Sequence, residues 1–162
     1  MSMQQAAVTV TVAYTGQSIS NTGGTVKETF ADNIAADVSA TATKWWSYIA
    51  DGGTHNANLA AGGNITFTLS ALVGALGTVA MTKVLAFVFL NKSTTDSVTV
   101  GAAALHPWAP LATAETVGPG GALVLLVPVS GLTVTSGSSD QVKIDATGAG
   151  AAVPFSLTVL GF

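Results

Sequence analysis

Few side chains in this sequence can move protons or hold a metal: two histidines, His55 and His106, eight carboxylates, five lysines and no cysteine. A serine nucleophile would need one of those two imidazoles as its base. His55 follows Asp51-Gly52-Gly53-Thr54, where Asp51 and His55 have the spacing to share a cation; with no third ligand nearby, a polar surface turn is the favoured reading. His106 precedes Pro107-Trp108 in a loop, a place for a hydrogen bond or for packing. The carboxylates Asp32 and Asp37, and Asp140 and Asp145, are five apart, a spacing that on strands points them to opposite faces and keeps them from converging as glycoside hydrolysis requires. Asp140, after Ser136-Gly137-Ser138-Ser139, reads as a turn cap. Gly118-Pro119-Gly120-Gly121 has the glycines of a phosphate loop but neither its Gly-Lys-Ser/Thr ending nor a helix behind it. The expectation is a protein that is not an enzyme, with no catalytic residue, no metal and no cofactor.

Trp45, Trp46 and Tyr48 admit two uses, because exposed aromatics stack sugars in many all-β modules while buried ones fill a core. Neighbours on a strand face opposite ways. One of Trp45 and Trp46 is therefore expected in the core and the other toward solvent or a partner, with Tyr48 on the side of Trp46. A core or subunit-interface role is favoured over a sugar platform. Asn64-Ile65-Thr66 and Asn91-Lys92-Ser93 match the glycosylation sequon, although nothing else suggests secretion.

The elements that must position these residues are strands. Residues 7–14 (AVTVTVAY) alternate apolar with threonine, and 25–30 (TVKETF) alternate again across a turn-rich stretch, 15–24. Residues 31–43 leave a short helix open, with Ile34 and Val38 four apart and Thr and Ser weakening it. Strands are predicted at 44–49, 65–69, 81–90, 97–100, 122–128, 132–135, 141–145 and 153–160, with a connector at 70–77 and a long loop at 101–117. Nine or ten short strands at regular spacing predict an all-β, antiparallel sandwich or barrel. A length of 162 residues predicts a single domain over 1–162, with the polar, unpatterned residues 1–6 as an N-terminal arm.

Charged residues are 8% of the chain against roughly 25% in an average domain. A net charge of −3, no arginine and five scattered lysines argue against a nucleic-acid partner. The longest apolar run, 84–90, is far short of the ~18 residues of a membrane helix, and the opening residues lack the basic start and apolar stretch of an export signal. So little charge leaves apolar surface to be covered, which predicts a homo-oligomer or a subunit of a larger assembly.

From Leu69 onward the sequence resembles a recurring class of tailed-bacteriophage structural proteins. The shared pattern runs from a leucine-glycine connector (72–77) into an apolar strand ending in Asn (83–91). Thr99-Val100-Gly101 and the His106-Pro107-Trp108 loop come next, then Pro119-Gly120-Gly121, a segment TVTSGSSDQVKI (133–144) and a closing strand ending in glycine (153–161). About the last 95 residues take part, the first 60 matching only loosely. The resemblance implies a virion component with a jelly-roll-like β-sandwich fold. The favoured role is a capsid decoration (cement) protein, made in the host cytoplasm and bound as a homotrimer to the major capsid protein on the capsid surface. A receptor- or glycan-binding module of a tail or fibre is the alternative. The candidate partner contacts are Trp108, His106 and Pro107 in the long loop, and Trp46. Trp108 has a second reading, as a plug folded back into the open end of the sandwich.

Overall fold

A computed structural model of the chain describes residues 7–19, 25–37, 44–50, 58–74, 77–127 and 129–162; for residues 7–50, 74 and 77 the backbone alone is described. The protein is all-β. Its strands are β1 (Ala7–Ile19), β2 (Thr25–Asp37), β3 (Lys44–Ala50), β4 (Asn64–Thr68), β5 (Leu72–Gly74), β6 (Gly77–Val79) and β7 (Lys83–Asn91). There follow β8 (Val98–Val100), β9 (Glu115–Val117), β10 (Ala122–Leu126), β11 (Leu132–Thr133), β12 (Gln141–Asp145) and β13 (Phe155–Gly161). Every ladder between them is antiparallel. The only helical pieces among the described residues are two 3-10 turns, Leu69–Ala71 and Ala109–Leu111, and no helix there is long and apolar enough to cross a membrane.

The strands form a β1–β2 hairpin, a five-stranded sheet ordered β10-β7-β13-β3 with β11 also on β7, a four-stranded sheet ordered β4-β12-β8-β9, and a small β5–β6 hairpin. The two larger sheets feed one core. Phe87, Phe89, Phe155, Leu157 and Val159 from the first lie in the same buried cluster as Phe67, Val98, Val100, Val142 and Ile144 from the second. On β12 the alternation is regular, with Val142 and Ile144 buried between half-buried neighbours. Phe155 packs edge-on against Phe67 at 6.4 Å and tilted against Phe89 at 5.7 Å, tying three strands at one point.

β7 is buried on both faces over Val84–Phe87, beyond which Val88 is half-buried and Leu90 exposed, and a bulge shapes the doubly buried part. Leu160 pairs with Ala86 but Gly161 pairs with Val84, so Leu85 is an extra residue on β7. Strict alternation from Phe87 would send Leu85 into the main core; the bulge returns Val84 there instead and leaves Leu85 and Ala86 with Leu160 in a second cluster, flanked by Leu126 and Phe162. Gly161 belongs to the same device. A Cβ at this position would stand 1.9 Å from the Lys83 carbonyl oxygen, so only glycine lets the chains approach.

Asn91, which ends β7, is 2% exposed and holds the far end of the fold together. Its amide nitrogen donates to the carbonyls of Asp96 (2.8 Å), Gly118 (3.0 Å) and Val117 (3.2 Å), while its amide oxygen accepts from the Ser93 N–H at 3.0 Å. Asn91→Ala strands these groups, and a loss of about 2 kcal/mol is expected, read as a lower denaturant midpoint. An unchanged midpoint would show that water replaces the side chain at no cost.

Several sequence-based boundaries shift. Residues 31–37 continue β2 as strand, because each pairs in register with β1 (Ala31 with Ala13, Asp37 with Ala7), and the ladder outweighs a weak helical spacing; 38–43 lie outside the described residues. β1 runs on to Ile19, through residues expected as turn. The 70–77 connector holds β5 and most of a 3-10 turn, and the long loop contains β9, which pairs with β8. These are ladders of a few residues whose pairing is set by distant partners and leaves no periodicity of its own.

Candidate functional site

Three described segments, the 101–114 loop, the Leu69–Ala71 turn and the 136–140 turn, converge on Asp140. Asp140 is 2% exposed. Its Oδ2 accepts from the Ser70 hydroxyl at 2.6 Å and from the Gly137 N–H at 3.0 Å, and its backbone carbonyl accepts from the Leu69 N–H at 2.7 Å. Oδ1 faces His106 Nδ1 at 3.9 Å. The His106 carbonyl in turn accepts from the amides of Asp140 (3.1 Å) and Gln141 (2.9 Å). Ser139 closes the arrangement, accepting from the Ala109 N–H and donating to the Pro107 carbonyl. Asp140 is therefore the turn cap expected from its sequence, with the added task of tying two other segments to that turn.

The order of this cluster decides its chemistry. In a hydrolytic triad the imidazole stands between serine and acid and takes the serine's proton. Here the carboxylate stands in the middle and itself accepts the hydrogen bond of the Ser70 hydroxyl, so the His106 ring is not placed to activate that hydroxyl. Among the described residues no three His, Asp or Glu side chains are arranged to hold a metal ion. His55 and Asp51 lie outside the described residues.

Trp108 lies in the core rather than at the surface. It is fully buried, its ring lies 5.8 Å from that of Phe87, and its indole Nε1 donates to the Thr133 carbonyl at 2.8 Å. The physical reason is that the left-handed His106 (φ 49°) and the 3-10 turn after Trp108 fold the loop back on itself, while Pro107 bridges to Gln141. His106 and, beside it, Leu105 at 68% exposure reach solvent, as do Ala104, Ala109 and Pro110. Val73 and Val129 are further exposed apolar residues, on the β5–β6 hairpin and on the turn before β11. Trp46 is opposite Val159 in the β3–β13 register and Trp45 opposite Leu160; their side chains lie outside the described residues. The Asn91 sequon is closed to modification by the burial of its acceptor, whereas Asn64 is exposed at the start of β4.

Sequence reasoning missed Ser70 and the role of Asn91. Nothing around Ser70 signals a partner seventy residues away. Asn91 carried a faint signal, a polar residue closing an apolar run.

Two further carboxylates, Asp145 and Asp96, staple turns. Asp145 accepts from Lys143 Nζ at 2.8 Å and from the Thr147 hydroxyl and amide. Lys143 foremost, then the Thr147 hydroxyl, holds its carboxyl down at about 2, from an ordinary 3.8. The folded value is the lower one, so this stabilisation is complete above the ordinary value and is lost as pH falls through about 2. Asp145→Asn is expected to flatten the decline of melting temperature across that acid window, and profiles that stay parallel to wild type would contradict the assignment. Asp96 is held below its ordinary value by the Thr95 hydroxyl and by the Gly150 amide, which joins two loops across 54 residues.

No protein-family model and no curated protein matches this chain.

Proposed function

We propose that this chain is a structural protein of a tailed-bacteriophage virion, a jelly-roll-like β-sandwich that decorates the capsid as a homotrimer and stabilises the shell of major capsid protein. One observation carries the reading: the residues of the phage-like pattern, taken in order, are those that hold the scaffold. Asn91 staples β7 to the turn at 118–121. Gly101 (φ 112°) sits where a Cβ would meet the Leu111 carbonyl at 2.6 Å. Trp108 fills the core, Asp140 ties three segments and Gly161 completes the bulge. A pattern made of folding determinants supports a shared fold. The joint core of the two large sheets supports the sandwich form of that fold.

The composition favours a binding role. A chain with 8% charge has little to repel a neighbour, and apolar and main-chain contacts suit permanent association on a particle. The only Ser-Asp-His cluster among the described residues is wired as a tie, and no reaction is proposed for it. The test is a density map of the intact particle that contains the chain, with light scattering of the purified protein. Trimers on the outer face of the head are the expected result. Density on the tail would support the receptor-binding alternative, and a monomer that leaves capsids unbound would overturn the proposal.

A further inference from the structure

We propose that β10 is an association edge: the β10 strands of two copies of this chain pair antiparallel about a two-fold axis through Val124 and join their five-stranded sheets into one. β10 ends that sheet and pairs with β7 on one side only. The register fixes which main-chain groups this leaves outward. In an antiparallel pair, alternate residues exchange their N–H and C=O groups with the partner strand, and those between them point away. At one end of the ladder the Asn91 N–H donates to the Gly121 carbonyl at 2.9 Å, and at the other the Val127 N–H donates to the Leu85 carbonyl at 2.8 Å. Both bonds put the odd-numbered residues of β10 in bonded pairs with β7. The N–H and C=O groups of Ala122, Val124 and Leu126 therefore line the outer edge, and no described strand takes them.

Folded proteins blunt an exposed edge with a charge, a proline, a bulge or a covering segment. Among the described residues β10 has none of these. Of the strands that end the two large sheets, β3 carries Lys44, β9 carries Glu115, and β4 alternates with Asn64, Thr66 and Thr68. β10 reads ALVLL, in unbroken register with β7. Leu123 and Leu125 pack on the main core and Leu126 on the second cluster, yet residues 123–126 are only half-buried and Ala122 is exposed. Leu90 of β7, opposite Ala122 and so on the face of Val124, is 41% exposed.

The edge itself selects its occupant. An added strand must be apolar and uncharged, and must match the outward groups at alternate positions. The outward set is symmetric about Val124, so a second β10 laid antiparallel sets Val124 opposite Val124 and Ala122 opposite Leu126, and every outward N–H meets a C=O. A two-fold axis uses each edge once and closes the contact. With no charge on either strand, nothing opposes the approach. Main-chain bonds and flanking apolar side chains are the means by which exposed sheet edges recruit strands. The contact does not require the chain to sit on a capsid; a homotrimer formed through another surface leaves this edge to join one trimer to the next.

The test is sedimentation of the purified full chain over a concentration series, comparing wild type with Val124→Lys and Val124→Glu. The two-fold axis sets residue 124 against its own copy, so either charge alone faces its like. Association should weaken at least about tenfold in each variant and return when the two are mixed, because lysine then faces glutamate. Hydrogen exchange reads the same contact without a substitution. In wild type the Ala122, Val124 and Leu126 amides should exchange slowly when concentrated and quickly when dilute. Those of Leu123 and Leu125, bonded to β7, should stay slow throughout, and in the variants they report that the strand is folded. Undiminished association of Val124→Lys, a mixture no tighter than its parts, or outer amides that exchange freely at every concentration would overturn the two-fold edge. So would outer amides protected only when another protein is present, an outcome that gives the edge to a different partner.

Discussion

Trp108→Ala is expected to lower stability by about 4 kcal/mol, a fall of roughly 10 °C in melting temperature for a chain of this size. Two losses combine. The indole is fully buried between β7 and the long loop, so its removal opens a cavity beside Phe87 that a loop pinned at Pro107 and Leu111 cannot collapse to fill. It also leaves the Thr133 carbonyl without the N–H that reaches it at 2.8 Å. Trp108→Phe separates the two, since the ring volume is largely kept and only the hydrogen bond is lost; about 1–2 kcal/mol of the total is assigned to that bond. Calorimetry measures both. On the proposed capsid-binding role, the folded fraction of Trp108→Ala should attach to particles as well as the unaltered protein. A melting temperature within a degree or so of wild type, with attachment abolished, would return Trp108 to the role of partner contact.

Gly161→Ala is the second large effect, and its cause is main-chain geometry rather than a cavity. The new methyl carbon would have to occupy a point 1.9 Å from the Lys83 carbonyl oxygen, which itself accepts from the Phe162 N–H at 3.1 Å. Backbone on one side and a paired strand on the other leave no side chain to swing aside. Either β13 parts from β7 below Leu160 or the bulge at Leu85 is lost, and a one-residue change of register there would exchange Val84 and Leu85 between the two clusters. A loss of about 3–5 kcal/mol is expected, enough to unfold a marginal domain. If expression and melting are those of wild type, the close approach at the bulge is not maintained in solution. Gly120→Ala is a useful control: φ there is also positive, but nothing lies within 4 Å of the added carbon, so only the cost of the backbone conformation should appear, about 1 kcal/mol.

The residues on which the proposed phage reading rests are folding determinants, and such residues say little about a partner. Asn91, Gly101, Trp108, Asp140 and Gly161 are each required by an interaction inside the chain. Partner-facing positions answer to the surface they meet, so they need not recur with the fold. Leu105 and Val129, both largely exposed, lie outside that pattern.

What the sequence alone determined is whatever local physics enforces. Alternation over β4, β12 and β13, the apolar run of β7, and the turns at glycine and proline were legible because strand period and turn chemistry act within a few residues. The turn-capping use of Asp140 was legible for the same reason. The rest depended on contacts between distant residues. β2 continues through Asp37 because β1 lies beside it, and β5, β6 and β9 exist because a partner is in reach. The bulge at Leu85 shows only once β13 is paired with β7. Whether Trp108 faced a partner or the core could not be read locally, since the same three residues serve a contact loop and a plug. Backbone bonds from Asp140 and Gln141 to His106, more than thirty residues away, turn the indole inward. Ser70 was invisible for the same reason: its hydroxyl has a role only where tertiary folding brings a buried carboxylate to it.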